Sequence, residues 1–492
     1  MTATSTSTAW EPVIGLEVHV ELATATKLFC GCRNEFGAPP NTNVCPVCLG
    51  LPGSLPVLNE KAVELALRLG EALGFTVPAQ SIFHRKNYFY PDMPKNFQTS
   101  QYDEPICLAG EIEVDGVKVR VTRAHLEEDT GKTMHVGGGG GRIHGADHSL
   151  VDYNRAGVPL LEIVSEPDIF SAEQARAYVT ELRATLLALG VSDVKMEEGS
   201  MRVDANVSIR AVGTSELGTR TETKNMNSIR SVQRAIEHEI ARQIDLRDSG
   251  ERIVQETRHW NEAEGLSRSM RSKEEAFDYR YFPEPDLVPV VPTDELRERV
   301  RSTMPELPAA ARDRLVRDWE ISEHDARVLL DVPGLAEYAG AAVAALSGGT
   351  PRDVVNWASG EVLASVKESG VAIADLSLAP DALAELVGLV AAGTINRGQA
   401  KEVLTEALST GGRPAAIVAT RGLAQESDTD ALGASIDAVL AAHPDVVAEY
   451  RAGDEQVRKK KRGFLMGEAS KALKGRANGR VLAQLLDDRL RA

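Results

Sequence analysis

Along Ile14–Leu22 (IGLEVHVEL) polarity alternates at every position. Leu16, Val18 and Val20 fall on one side, and Glu17, His19 and Glu21 on the other, which predicts a half-buried strand. Ile112–Val114, Val117–Val121 and Val203–Ile209 read as further strand segments between Gly-rich turns. The period changes at Ser171. Ala175, Tyr178, Val179, Leu182 and Leu186 form an apolar stripe at helical spacing; Ser171 and Gln174 make a capping-box pattern before it, and Gly190 ends it. Pro283, Pro285, Pro289 and Pro292 then crowd one short stretch, as in an extended linker or a domain edge. From Asp294 the chain is rich in Ala, Leu, Arg and Glu at helical spacing, with a second break at Gly411–Gly412 and Arg413–Pro414. The pattern predicts a mixed domain over 1–293 and helical domains over 294–412 and 413–492.

Charge and cysteine content narrow the classes. The 492 residues carry 55 Lys and Arg against 72 Asp and Glu, a formal net charge of −17. That balance disfavours a general nucleic-acid coat or a membrane-surface protein, though it allows a local basic patch. No run of 18 apolar residues occurs, so no membrane span is expected. Met1–Ala9 has neither a basic nor an apolar segment and reads as a frayed tail, with the cytoplasm as the expected compartment. Four of the five cysteines lie within Cys30–Cys48, which suggests a metal site in a reducing compartment; the fifth is Cys107.

The chemistry-bearing segments follow. Cys30-x-Cys32 and Cys45-Pro-Val-Cys48 match a four-cysteine zinc knuckle, closed and therefore structural. Arg85–Phe97 (RKNYFYPDMPKNF) mixes cations, three consecutive aromatics and two prolines, too irregular for a regular element, and reads as a binding loop. In His125–Lys132 (HLEEDTGK) the adjacent Glu127, Glu128 and Asp129 repel one another unless a cation or solvent relieves them. Glu162 in PLLEIV and Asp204 in RVDANV interrupt strand-like runs, where an unpaired buried carboxylate costs several kcal/mol. Glu17, His19, Glu128, Glu162 and Asp204 could together ligate Mg2+; taken singly, each is more often a solvated or ion-paired side chain than a ligand. Gly131-Lys132-Thr133 is not a P-loop, because Leu126 stands where its glycine belongs. Gly137–Gly141 reads as a flexible loop, and His144, Asp147 and His148 after it as solvated. From Arg458 to Arg480 basic residues dominate, interleaved with glycines, which points to a polyanion partner.

Six segments in order, IGLEVHVEL, RKNYFYPDMPKNFQ, HLEEDTGK, NRAGVPLLEIVSEPD, DVKMEEGSMRVDANVS and DYRYFPEPDLVP, together resemble the B subunit of the tRNA-dependent amidotransferases (GatB), from about Glu11 to the C-terminus. The resemblance implies an α/β (α+β) cradle domain with the zinc knuckle embedded, then two all-α domains, the last a tail similar to the YqeY family. It implies an ATP-dependent ligase, cytoplasmic, working as a heterotrimer with two partners, the glutaminase (GatA) and a small third protein (GatC). Such an enzyme phosphorylates the side-chain carboxyl of mischarged Glu-tRNA(Gln) or Asp-tRNA(Asn) and amidates it with ammonia. Carried onto this chain, the resemblance implies Mg2+ ligation by His19, Glu128 and Glu162, with Glu17 and Asp204 second in rank. It implies catalytic roles for Glu128 and Lys86, and structural Zn2+ on Cys30, Cys32, Cys45 and Cys48. It also implies tRNA contacts at Lys459, Lys460, Lys461, Arg462, Lys471 and Lys474. Gly137–His148 looks like an insertion in the family pattern. A zinc-bearing tRNA-binding module without catalysis is the main alternative; a metallohydrolase has no H-E-x-x-H pair to support it.

Overall fold

The alternating segment forms β1, Trp10–Glu21, near the centre of a large sheet in the computed structural model, which describes residues 9–137, 145–272, 279–424, 429–473 and 479–491. The further strands are β2 Phe83–Asn87, β3 Phe97–Gln101, β4 Cys107–Val114, β5 Val117–Glu128, β6 Lys132–Val136, β7 His148–Asp152, β8 Pro159–Ser165, β9 Met201–Ala211, β10 Thr221–Met226, β11 Glu256–Asn261, β12 Leu266–Ser272 and β13 Phe282–Pro283. They run β12-β11-β10-β9-β1-β8-β5-β3-β2-β13, with β4 paired to β5; β6 and β7 form a separate hairpin. Only the β10–β11 pairing is parallel among these.

One face of the sheet is dry. Ile14, Leu16, Val18 and Val20 of β1 are buried with Leu161 and Ile163 of β8 and Val203, Ala205 and Val207 of β9. Helices α1 Glu60–Ala72, α2 Ala172–Ala188 and α3 Ile229–Asp248 contribute Leu65, Leu69, Tyr178, Leu182, Val232 and Ile236 to the same core. At the start of α2 the Ser171 hydroxyl accepts the Gln174 N–H at 3.1 Å, and the Gln174 side chain accepts the Phe170 N–H at 2.8 Å, one residue upstream of a reciprocal box. Cys107 lies in this core, its Sγ against the Ala66 carbonyl, and burial pushes its thiol up to about 12.

The proline-rich stretch is not the edge of this unit. Helix α4, Asp294–Ser302, buries Leu296 and Val300 in the sheet's own core, and the unit extends to Pro308. The expected boundary at 293 therefore moves, because prolines that stop a helix also suit a chain running extended over its own domain.

The second unit, Ala309–Ala492, is helical among its described residues and holds two apolar cores. The first runs from Leu315 to Val418 and includes Ile417 and Val418, so the Arg413–Pro414 break lies inside it. Pro414 there opens a helix, Pro414–Arg421, where its missing N–H is harmless. The second core joins Leu432, Ile436, Leu465, Ala469, Leu482, Leu486 and Leu490. Among the described residues no helix is long and apolar enough to cross a membrane.

Candidate functional site

The wet face of the sheet carries the chemistry. Register decides which residues meet. His19 of β1 pairs with Glu162 of β8 and Arg202 of β9, and Glu162 pairs with His125 of β5, so these four side chains share one row. Glu17, two residues earlier on β1, pairs with Asp204. Opposed residues on neighbouring strands point to the same face, which makes both groupings products of period two plus register.

Two compact ligand sets result. In the first, His19, Glu127 and Glu162 offer ligand atoms within 4.8 Å of one another; Glu17, Asp204 and Glu222 do the same in the second. In the first, His19 Nε2 lies 3.3 Å from Glu162 Oε2 and 3.7 Å from Glu127 Oε1. His125 Nε2 is also 3.3 Å from Glu162 Oε2. Burial alone would push the His19 imidazolium down, but its hydrogen bond to Glu162 and the charges of Glu162 and Glu127 outweigh that and raise its pKa to about 9. Burial likewise opposes the Glu162 carboxylate, yet His125 and His19 hold it well below the usual range.

The second set is anionic. Burial and then the charges of Glu162, Asp204 and Glu222 raise the pKa of Glu17. Lys224 relieves the site, its Nζ 2.5 Å from Asp204 and 3.1 Å from Glu222. A β-bulge places it there. Between Thr223 and Met226 strand β10 carries an extra residue opposite β9, with Asn225 at φ 70°. Behind β10, buried Glu239 accepts the Thr221 hydroxyl at 2.6 Å and an Arg242 hydrogen bond at 2.6 Å, fixing the strand from its core side. Carboxylate oxygens dominate both sets, which suits a hard divalent cation.

Of the sequence candidates, His19 and Glu162 come together, and Glu17 joins Asp204 in the neighbouring set. Glu128 does not join them. Leu126 and Glu128 share the core side of β5, while His125 and Glu127 face the wet side. Glu128 instead pairs with the Lys95 ammonium and accepts the Thr99 N–H at 2.8 Å. Glu127 stands where Glu128 was expected, within the cluster of His19 and Glu162. Sequence reasoning also misses His125, Glu222 and Lys224; only their alternation with apolar or buried neighbours could have marked them.

Lys86 stays at the site. Burial pushes its ammonium down, but Glu127 and Glu162 outweigh that and raise its pKa, and its Nζ lies 5.1 Å from the Tyr279 ring centre. The binding-loop reading of Arg85–Phe97 needs correction at its ends. Arg85, Lys86 and Asn87 belong to β2, and Phe97 opens β3, so the loop proper is the connection 88–96. Arg85 is bound in two hydrogen bonds to Glu284, each 2.7 Å.

Apart from these two sets, Cys30, Cys32, Cys45 and Cys48 bring their sulfurs within 4.8 Å of one another. A cluster of this kind could hold a metal such as zinc. The hydrogen bond between Cys30 and Cys48 splits their acidities. It is the chief cause holding the Cys48 thiol low and raising that of Cys30.

The basic tip forms the helix Glu455–Ala472. Lys461 pairs with Glu449, Arg462 with Asp487 and Lys471 with Glu468. Lys459 and Lys460 are exposed, and among the described residues no acidic side chain pairs with them. Lys474 lies outside the described residues, as do residues 1–8 of the expected tail and 138–144 of the glycine-rich loop and insertion, His144 included. What is described of the insertion is the hairpin that flanks it, β6 and β7, with His148 exposed.

Comparison with known proteins agrees along the chain. The family described as the GatB/GatE catalytic domain matches residues 12–298, and that described as a GatB domain matches 341–490. The B subunit of the aspartyl/glutamyl-tRNA(Asn/Gln) amidotransferase of Frankia casuarinae is 52% identical over 98% of this chain and 96% of its own. The proteins of the same name in Nocardia farcinica and a Thermoanaerobacter species are 50% and 49% identical, covering 97% and 98% of this chain and 95% and 99% of theirs.

Proposed function

Since the chain belongs to the family of aspartyl/glutamyl-tRNA(Asn/Gln) amidotransferase B subunits, we propose that its wet sheet face activates the side-chain carboxyl of a mischarged Glu-tRNA(Gln) or Asp-tRNA(Asn). ATP phosphorylates that carboxyl and leaves as ADP. Ammonia, released from glutamine by the partner glutaminase (GatA), then attacks the acyl carbon and expels phosphate, giving the amide. The small protein GatC completes a cytoplasmic heterotrimer. One observation carries the reading: two carboxylate-rich ligand sets lie side by side on one sheet face, with the Lys86 ammonium within electrostatic reach of the first.

Phosphoryl transfer is mostly positioning and charge neutralisation. Magnesium held by His19, Glu127 and Glu162, and by Glu17, Asp204 and Glu222, would supply that neutralisation for the phosphates. Lys86 adds a fixed cation beside them and orients an anionic oxygen of phosphate or acceptor carboxylate. His125 holds Glu162 ionised for its task. Lys224 keeps the second set folded when no other cation is there.

His19 must give up its proton to ligate. With its metal-free pKa at about 9, cation affinity at the first set should rise as pH rises, roughly tenfold per unit, and level off above about 9. Calorimetric titration with Mg2+ in buffers of different ionisation enthalpy should show about one proton released at pH 7.5. No proton release would remove His19 from the ligand set.

The helix Glu455–Ala472 is proposed to touch tRNA through Arg458, Lys459 and Lys460, because Lys461 and Arg462 are already ion-paired. Changing Lys459 and Lys460 to Ala should weaken tRNA binding and reduce the slope of log K against log salt by about 2, whereas Lys461→Ala should change it less. Equal slopes for all variants would return this helix to a solvated surface.

The test of the whole reading is ATP hydrolysis by the chain assembled with GatA and GatC. Free ammonia and one mischarged tRNA at a time are supplied, so that the glutaminase is bypassed. Phosphate release stimulated by one of them, with Gln-tRNA or Asn-tRNA formed in step, is expected. Binding of both tRNAs without stimulation would favour the non-catalytic module.

A further inference from the structure

Lys27 is completely buried, yet among the described residues no carboxylate comes within ion-pairing distance of it. A buried ammonium without a counter-charge costs several kcal/mol. Its Nζ has three donors and three acceptors: the Asn43 carbonyl at 3.0 Å, the Tyr153 carbonyl at 3.5 Å and Cys48 Sγ at 3.8 Å. Two are neutral. The third belongs to the four-cysteine cluster.

From this we infer that Lys27 is an integral part of the metal centre, a positioning residue that donates an N–H···S hydrogen bond to Cys48 and supplies the counter-charge for four thiolates around one divalent ion. The inference rests on the zinc reading of the cluster. Four thiolates and Zn2+ carry a net charge of about −2, and at the one buried sulfur, Cys48, that charge calls for a cation or hydrogen-bond donors. Lys27 provides both. The need is mutual, because the thiolates are the anionic groups that make a buried Lys27 tolerable.

The placement also ties two segments together. The Lys27 N–H donates to the Cys32 carbonyl, and its ammonium reaches Asn43 between the cysteine pairs and Tyr153 after β7. Asn154 continues the link, accepting the Asn43 N–H at 2.8 Å and donating to Pro39 O at 2.7 Å. One ammonium thus joins the cysteine loop to the chain that leads into β8 and Glu162.

The test uses the full-length chain with Lys27→Met, which keeps the length of the side chain and removes its charge. Metal affinity is measured by competition with a chromophoric chelator. The cobalt-substituted protein reports on the sulfurs through its thiolate-to-cobalt charge-transfer bands. Zinc affinity should fall about 10- to 100-fold, the usual loss for an outer partner of a metal ligand. The charge-transfer bands should move to lower energy, because a thiolate that keeps only the Cys45 N–H at 3.1 Å and loses the ammonium is a better electron donor. Far-ultraviolet circular dichroism of the zinc-saturated variant keeps misfolding apart from this effect. Unchanged affinity would overturn the proposal. So would reduced affinity with unmoved bands, which would leave Lys27 as a clamp on two carbonyls. If the wild-type chain bound neither zinc nor cobalt, the zinc reading itself would fail.

Discussion

Replacing Glu127 with Gln is expected to abolish most of the ammonia-dependent amidation, and replacing Glu128 with Gln to do something different. The two carboxylates are adjacent in sequence and lie on opposite faces of β5. Glu127 stands 3.7 Å from His19 and accepts the Ser100 hydroxyl at 3.2 Å. Removing its charge should take away one oxygen ligand from the first set. If that ligand is worth about 3–4 kcal/mol of transition-state stabilisation, kcat should fall about 10²- to 10³-fold, with a higher Mg2+ requirement. The Glu128→Gln change should instead leave the Lys95 ammonium half-compensated beside a buried amide. Its main cost should be stability, about 3–5 kcal/mol, read as a lower denaturation midpoint, with the Mg2+ requirement of the folded fraction unchanged. Steady-state assays over a Mg2+ series, beside urea unfolding of both variants, decide the matter. A raised Mg2+ requirement in Glu128→Gln but not in Glu127→Gln would mean that the cation sits on the other side of the strand.

This pair of residues shows where the sequence stops being legible. The alternation in β1 reveals the strand, its wet face and two candidate ligands, because period two is a local property. Which acids on other strands meet His19 is set by register, and a slip of one residue exchanges Glu127 for Glu128. Resemblance points to the HLEEDTGK segment; only pairing with β8 chooses between its glutamates. Glu222 is hidden for another reason. TETKNM is polar up to Met226, and what turns Thr221 to the core is its hydroxyl's hydrogen bond to buried Glu239, which the local pattern does not show. Arg85–Asn87 reads as loop because its strand is short and near the sheet edge, where composition signals weaken. In the helical unit, spacing predicts helices well, yet the chain breaks misplace the boundaries. Pro414 starts a helix that packs into the core preceding it, and α4 returns its leucine and valine to the sheet.

The wet face is close to electrostatic balance through its own side chains. His19 answers Glu162 and Glu127, Lys224 answers Asp204 and Glu222, and Arg202 and Arg155 answer Asp129. At Glu21 burial followed by the charge of Asp129 outweighs Arg202 and Arg155 and lifts its pKa to about 7. In the absence of a bound cation, the His19 proton and the Lys224 ammonium supply part of the positive charge that divalent cations would bring to these carboxylates. That balance explains how a buried acidic row stays folded before substrate arrives.

Stripping metal from the cysteine cluster should unravel a defined part of the chain and spare the rest. Between Arg33 and Val57 there is no helix and no strand longer than a bridge residue; Val47 packs against the sheet core, but Phe36 is 82% exposed, Leu55 64% and Val57 74%. Such a segment buries too little apolar surface to offset the entropy of ordering it. The four sulfurs and the hydrogen bonds of Asn41 and Asn43 to Asp152 and Asn154 hold it. The sheet core, by contrast, draws on apolar residues of β1, β8 and β9 packed with α1, α2 and α3. Chelation of the wild-type chain, or Cys32→Ser, should therefore abolish amide-exchange protection over residues 33–57 and loosen 151–157. Protection in β1, β8 and β9 should stay within about tenfold of the metal-loaded value. Native mass spectrometry should show one zinc lost per chain. Ammonia-dependent amidation should persist at reduced level, because the first ligand set lies on the sheet's wet face and not in the knuckle. Retained protection over 33–57 after complete zinc loss would show that the loop holds itself. Collapse of protection across β1 and β8 would show that the metal supports the sheet's wet face directly.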